Sequence, residues 1–218
     1  MSAPAKDIAP RILNYGDHAV LVHWEVDGFD PAVSDAVHGL AARLRAKGAF
    51  TEVMPGYDSL VASFDAGRMA LSSARRRVED ALRRETGAEA TQGRLVEIAV
   101  DYSGPDLSAV AAHAGMSESA VVEAHSARDY RVCMMGFIPG FAFLSDVDPR
   151  LNMPRHATPR AHVPAGSVGI ANWQTGIYGL DSPGGWQIIG RTDAVMFDAT
   201  RDAPFLVEAG DRIRFVPQ

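Results

Sequence analysis

The sequence predicts an α+β unit over residues 1–92, of ferredoxin-like layering, followed by a mainly β unit over residues 93–218 that reads as a small barrel. Three observations carry this division. A hairpin-then-helix pattern occurs twice before residue 85. The stretch ETGAEATQG, residues 85–93, is poor in large apolar residues and reads as a linker. Residues 136–190 then hold nine of the chain's 20 glycines and six of its 13 prolines, which dictates short strands and turns rather than helices.

The elements follow in order. PRILNY (10–15) and AVLVHWE (19–25) are predicted strands joined by a turn at Gly16-Asp17. Asp30 can cap a helix with Pro31 in its first position; Val33, Val37, Leu40 and Leu44 recur at helical spacing, and Gly48 supplies the stop. FTEVM and SLVASFD flank a Pro55-Gly56 turn, and Leu71, Ala74, Val78 and Leu82 mark a second helix ending at Gly87. Two such copies make a sheet with helices on one face. Beyond the linker, RLVEIAV reads as a strand, PDLSAVAAHAG and SESAVVEAHSA as two short helices separated by Gly115, YRVCMMGF as a strand, and DRIRFVPQ as the strand that closes the barrel.

Composition excludes several classes. A hydrophobic share of 47% and a charged share of 22% suit a globular chain. No apolar run reaches the ~18 residues of a membrane span, and MSAPAKDIAP lacks the apolar centre of a secretory signal, so a cytoplasmic protein is expected. A formal net charge of -6 offers no footprint for nucleic acid or an anionic membrane. The single cysteine, Cys133, reads as a small buried hydrophobe. The seven histidines show no metal-ligand spacing, and no bound metal is expected.

Missing motifs narrow the chemistry further. Only two lysines occur, Lys6 and Lys47, each after an alanine, so a Gly-Lys phosphate loop is absent. AGSVG (165–169) imitates a nucleophile elbow, yet the residues after it cannot form the helix that an elbow feeds, which argues against Ser167 as a nucleophile. His125 follows Val121 by four residues on one helical face and reads as a satisfied buried or half-buried histidine. It is also carried as a candidate proton carrier, with His156 and Asp181.

Three stretches exceed what folding requires. GFIPGFAFL (136–144) is a rigid apolar turn with three phenylalanines. MPRHATPRAHVPAGSVGIA sets two Pro-Arg pairs five residues apart on a stiff backbone. QTGIYGLDSPGGWQIIGRT (174–192) places Gln174, Thr175 and Tyr178 as hydrogen-bonding groups, Gly184-Gly185 as approachable backbone and Trp186 as a flat wall. Between Arg150 and Thr192 four arginines (Arg150, Arg155, Arg160, Arg191) meet one acid, Asp181, a local positive excess suited to a small anionic ligand.

The segments GDHAVLV (16–22), HSARDYRVCMMGFIPGFAFL (125–144), DPRLNMPRHATPRAHVPAGSVGIANWQTGIY (148–178) and SPGGWQIIGRT (182–192) closely resemble the KipI/allophanate hydrolase subunit 1 family. The resemblance implies a ferredoxin-like N-terminal domain and a cyclophilin-like C-terminal barrel. It implies a non-autonomous component of a complex that uses ATP, with Mg, to open the lactam of 5-oxoproline to glutamate, alongside an A subunit and a larger, KipA-like C subunit. The isolated chain is then expected to be inactive and to bind no cofactor. Other members of the family inhibit a sensor histidine kinase or form the carboxyltransferase component of urea carboxylase, and both alternatives remain open from the sequence.

Carried onto this chain, the resemblance implies Arg155, Arg160 and Arg191 as catalytic arginines, and His125 joins the expected catalytic set as a candidate proton carrier. For substrate binding the resemblance implies Phe137, Pro139, Gly140 and Phe141 from the first stretch, and Thr158, Pro164, Ala165 and Gly166 from the second. The third stretch contributes Gln174, Thr175, Gly176, Tyr178, Ser182, Gly184, Gly185 and Trp186. The arginines are expected to hold the substrate carboxylate and a transferring phosphoryl group. Two departures stand out: Gly179 replaces the usual proline, which predicts a looser turn, and DYSGPDL is shorter than its usual form, which puts a role for that loop's acid in doubt.

Overall fold

The computed structural model describes residues 8–83 and 93–218. The chain forms two compact units, Met1–Gln92 and Gly93–Gln218. The expected linker, apart from Gly93, and the expected helix end at Gly87 lie outside the described residues.

In the first unit the strands β1 (Arg11–Asn14), β2 (Ala19–His23), β3 (Glu52–Pro55) and β4 (Ser59–Ser63) alternate as hairpins with helices α1 (Pro31–Ala46) and α2 (Leu71–Arg83). Helix α1 starts where the sequence provides a cap: Asp30 Oδ1 accepts from the Ala32 and Val33 N–H groups at 2.8 and 3.3 Å, with Pro31 in the first turn. The sheet order is β1-β2-β4-β3, every pairing antiparallel. Helix α1 therefore carries the chain from β2 to β3 across the intervening β4, the interleaved crossover of ferredoxin-like layering. Alternate strand residues (Val20, Val22, Leu60, Ala62) join Val37, Leu40, Leu44 and Val78 of the helices in one core.

The second unit contains β5 (Leu95–Val100), α3 (Leu107–Ala114), α4 (Glu118–Ser126), β6 (Asp129–Met135), β7 (Ala142–Ser145), β8 (Arg160–Val163), β9 (Ser167–Ala171), β10 (Gln174–Ile177), β11 (Ser182–Gly184), β12 (Gln187–Arg191) and β13 (Arg212–Pro217). Seven strands form one sheet in the order β12-β9-β10-β7-β6-β13-β5, and β8 pairs with β11 separately. β13 runs antiparallel to β6 but parallel to β5. The two sheet edges meet just beyond β5, where Asp101 and Arg191 exchange backbone hydrogen bonds of 2.9 and 2.8 Å. A single bridge thus nearly closes the barrel, removing the exposed edges that an open sheet would leave.

Strand alternation gives the barrel two distinct apolar layers. The inner layer draws on all seven strands, among them Val100, Val132, Leu144, Ile170, Ile177, Ile189 and Phe215, and the apolar faces of α3 and α4 pack into it. The outer layer consists of Phe141, Val163, Ala171, Tyr178, Trp186 and Ile188, with Ile138 and Phe143 packed against it. Such a second apolar layer, with the short β8–β11 ladder contributing Val163, is where a concave site can form. Cys133 is buried, with Sγ 2.7 Å from Ser145 Oγ.

Candidate functional site

Among the described residues, a pair of cavities on the barrel unit gathers many of the expected site residues. They lie along the same side of β12, since Trp186 lines one and Ile188 and Gly190 line the other. Each has a volume of about 410 to 420 Å³, within the range of small-molecule sites.

The first cavity is aromatic. Its walls are Phe137, Phe141, Phe143, Tyr178 and Trp186, with Arg155, Pro159, Pro183, Gly184 and Gly185 completing the rim. Phe141 is the hinge of the ring cluster: it meets Trp186 edge-on at 5.3 Å and 82°, Tyr178 at 4.9 Å and 87°, and Phe137 at 5.7 Å and 87°. Phe137 itself is 65% exposed and has a φ of 68°, a conformation unusual for any residue but glycine. The Arg155 guanidinium lies over the Trp186 ring at 5.9 Å. Burial raises the Tyr178 phenol above its ordinary pKa, opposed by a backbone hydrogen bond from Trp186 and by the charges of Arg155 and Arg160. Gly184 is required at the wall, because a Cβ there would strike the Tyr178 hydroxyl.

The second cavity is charged, lined by Ser103, Gly104, Pro105, Arg160, His162, Val163, Pro164, Ser167, Ile188, Gly190 and Arg191. Three of these residues are tied to carboxylates. Ser103 donates to Asp101 at 2.8 Å, Arg160 to Asp106 at 2.6 Å, and His162 lies 3.1 Å from Asp181. Asp106 is the centre of this arrangement. Its buried carboxylate also accepts the Ile188 N–H at 2.6 Å, and His156 Nε2 stands 3.3 Å away without forming an aligned hydrogen bond. Burial pushes the Asp106 carboxyl up in pKa, and the hydrogen bonds from Arg160 and the Ile188 N–H, with the nearby His156 and the Arg160 charge, more than offset this, leaving it below its ordinary value. Arg160 Nη1 also reaches the Trp186 carbonyl at 3.4 Å, so this ion pair straps the backbone between the two cavities.

The expected site residues separate on this map. Phe137, Phe141, Arg155, Tyr178, Gly184, Gly185 and Trp186 converge on the aromatic cavity, while Arg160, Pro164 and Arg191 line the charged one. Gly176 sits behind the aromatic wall, where a Cβ would press on Trp186 and Phe141. Pro139 and Gly140 back the Phe137 turn against Gly179, and Thr158 is exposed in the bend before Arg160. The Ala165 N–H donates to Asp181 at 2.8 Å, Gly166 makes a turn at φ 80°, Ser182 is buried at the start of β11, and Gln174 is half-buried at the start of β10.

Several expectations change. His125, carried as a candidate proton carrier, is fully buried, stacks on Phe215 at 4.6 Å, and has both ring nitrogens taken. Thr175 Oγ1 donates to the Gly169 carbonyl at 2.9 Å, so it accepts from His125 Nε2 at 2.8 Å, leaving Nδ1 to accept from the Tyr102 hydroxyl at 2.7 Å. Burial lowers the His125 pKa to about 3 and keeps the ring neutral. Thr175 is likewise fully buried and hydrogen-bonded within the core. The Gly179 turn is tight, not loose, since a Cβ there would strike the Pro139 carbonyl and press on Gly140. The positive excess is largely cancelled by acids from elsewhere in the chain: Arg150 pairs with Asp148 at 2.7 Å and Arg160 with Asp106. Asp106 belongs to the shortened DYSGPDL stretch, and 54 residues separate it from Arg160, so no local spacing announces the pair.

The comparisons with known proteins bear on this geometry. A family model described as the carboxyltransferase domain, subdomain C and D, matches residues 10–207. The 5-oxoprolinase B subunit of Escherichia coli O157:H7 is 52% identical over 137 residues, a match spanning 62% of this chain and 63% of that protein. The protein of the same name from Bacillus subtilis (strain 168) is 35% identical over 221 residues, covering 94% of this chain and 92% of the relative. Among solved structures, TTHA0988 superposes with a TM-score of 0.81 at 35% identity over 92% of this chain, which spans 40% of that longer one. Among the described residues, no helix is long and apolar enough to cross a membrane.

Proposed function

The chain belongs to the family of the carboxyltransferase domain, subdomains C and D, and from that premise we propose that it is the B subunit of an ATP-dependent complex that opens 5-oxoproline to glutamate. The observation that carries the reading is the aromatic cavity with one arginine at its rim, in a chain whose relatives are named as B subunits of 5-oxoprolinase. The substrate combines a small ring, an amide and one carboxylate. A wall of Phe141, Tyr178 and Trp186 suits the ring, and a guanidinium suits the carboxylate.

The chain works in this proposal only with its partners, the A and C subunits. An unstrained amide is a poor electrophile, and ATP, bound with Mg in the assembled complex, supplies the activation. The described residues offer no cradle for a triphosphate. Among the described residues no glycine-rich loop leads into a helix beside a lysine, and in the charged cavity Arg160 is already engaged by Asp106. This chain's own contribution is to bind and orient the ring and to exclude water from one side of it.

The test is ATP hydrolysis by this chain co-purified with its cognate partners, with and without 5-oxoproline. Stimulation by 5-oxoproline that disappears when this chain is omitted is expected. A stable complex that hydrolyses ATP without responding to 5-oxoproline would overturn the reading and bring the urea-derived substrates forward.

A further inference from the structure

We propose that, of the four arginines gathered between residues 150 and 191, Arg155 alone takes the ligand's carboxylate, and that the ligand class is a small cyclic amide bearing one carboxylate with its ring against the Trp186 wall. The inference rests on the reading above and assigns the groups within it.

The four arginines differ in what already holds them. Arg150 is held by Asp148 through two hydrogen bonds of 3.0 and 2.7 Å. Arg160 is held by the buried Asp106 at 2.6 Å, and releasing it would leave that carboxylate without its strongest partner. Arg191 lines a cavity in which three lining residues already engage carboxylates, and its charge acts on Asp181. Arg155 and Arg191 are both exposed and form no ion pair among the described residues; Arg155 differs in standing over the Trp186 ring of the aromatic cavity, away from the carboxylate-bound Ser103, Arg160 and His162 that share Arg191's cavity.

Position strengthens the assignment. The guanidinium stands over the Trp186 ring, 5.9 Å from its centroid, and a guanidinium can grip a carboxylate through two parallel hydrogen bonds. Every other lining group is aromatic, proline or glycine, apart from the Tyr178 hydroxyl. An open-chain amino acid with two carboxylates would leave one of them facing the rings unpaired, at a desolvation cost. A ring with a single carboxylate and a neutral amide leaves none, and the Tyr178 hydroxyl and the Trp186 indole N–H are the lining side-chain groups that can meet the amide. The cavity therefore favours the closed lactam over the opened product.

The experiment is a titration of the ¹⁵N-labelled full chain, following the indole N–H of Trp186, identified by its loss in Trp186→Phe. The probes are 5-oxoproline, 2-pyrrolidinone, which lacks the carboxylate, and glutamate. Trp186 is expected to shift with 5-oxoproline, with affinity about tenfold or more above either other probe. Arg155→Gln should erase that preference, while Arg150→Gln should keep it. No shift with 5-oxoproline, an undiminished preference in Arg155→Gln, or a larger loss in Arg191→Gln than in Arg155→Gln would each overturn the assignment. The two levels fail separately. If the complex responds to 5-oxoproline but Arg155→Gln leaves its KM unchanged, this inference is wrong and the reading stands. If Trp186 shows the stated preference but the complex ignores 5-oxoproline, the reading is wrong and the pocket assignment stands.

Discussion

Two cavities lie side by side on one barrel, and they treat positive charge in opposite ways. In the charged cavity Arg160 is strapped to Asp106, and His162 to Asp181, so the arginine that looks most like an anion receptor is part of the scaffold. In the aromatic cavity a single arginine stands over an indole and forms no ion pair among the described residues. The difference teaches that an arginine's role is decided by what the fold brings to it from far along the chain. Counting charges along the sequence gives the supply, while burial and pairing decide what is left for a ligand.

The largest effect is expected from breaking the strap. Arg160→Ala removes the main partner of a buried carboxylate, and the barrel should lose about 3 kcal/mol of stability, read by chemical denaturation. Adding Asp106→Asn should recover part of that loss, because the uncompensated charge is gone. If the two losses simply add, the strap is not what holds the charged cavity together.

Acid should expose the interior beneath both cavities. The His125 pKa is near 3 in the folded chain against 6.5 for the free side chain, so the unfolded state binds the extra proton between those values. Stability is then fully present above pH 6.5 and falls on acidification, by up to about 1.4 kcal/mol per pH unit until the folded value is reached. Asp106, whose pKa is depressed below 3.8, adds a further loss only below that ordinary value. His125→Gln should flatten the profile between pH 6.5 and 4, and an unchanged slope would remove His125 as its cause.

Smaller effects separate wall from scaffold. Gly184→Ala forces a methyl group against the buried Tyr178 ring and should cost about 1–3 kcal/mol, with a matching loss of ligand affinity. Arg155→Gln, at an exposed position without an ion pair, should change stability by less than about 0.5 kcal/mol. A large destabilisation there would mean that Arg155 is scaffold too, and the contrast between the cavities would collapse.

Much of the fold was legible because its signals are local. Asp30-Pro31 and the spacing of Val33, Val37, Leu40 and Leu44 determine α1 without reference to the rest of the chain. The glycines and prolines of residues 136–190 likewise announce turns. The aromatic wall was also legible, since Tyr178, Gly184, Gly185 and Trp186 fall within nine residues of one another. What escaped was pairing across distance. The closing bridge of Asp101 with Arg191 and the strap of Asp106 with Arg160 join residues far apart in sequence, and an acid after a proline reads equally well as a helix cap. His125 misleads for a related reason: its helical position shows that it is buried, while Tyr102 and Thr175, which satisfy it, come from two other segments.

The most direct test of the central claim is the KM for 5-oxoproline in ATP hydrolysis by the assembled complex carrying Arg155→Gln. A rise of about tenfold or more is expected, with the melting temperature of the chain unchanged. An unchanged KM at full stability would contradict the assignment of Arg155, and would place the carboxylate's partner outside the aromatic cavity.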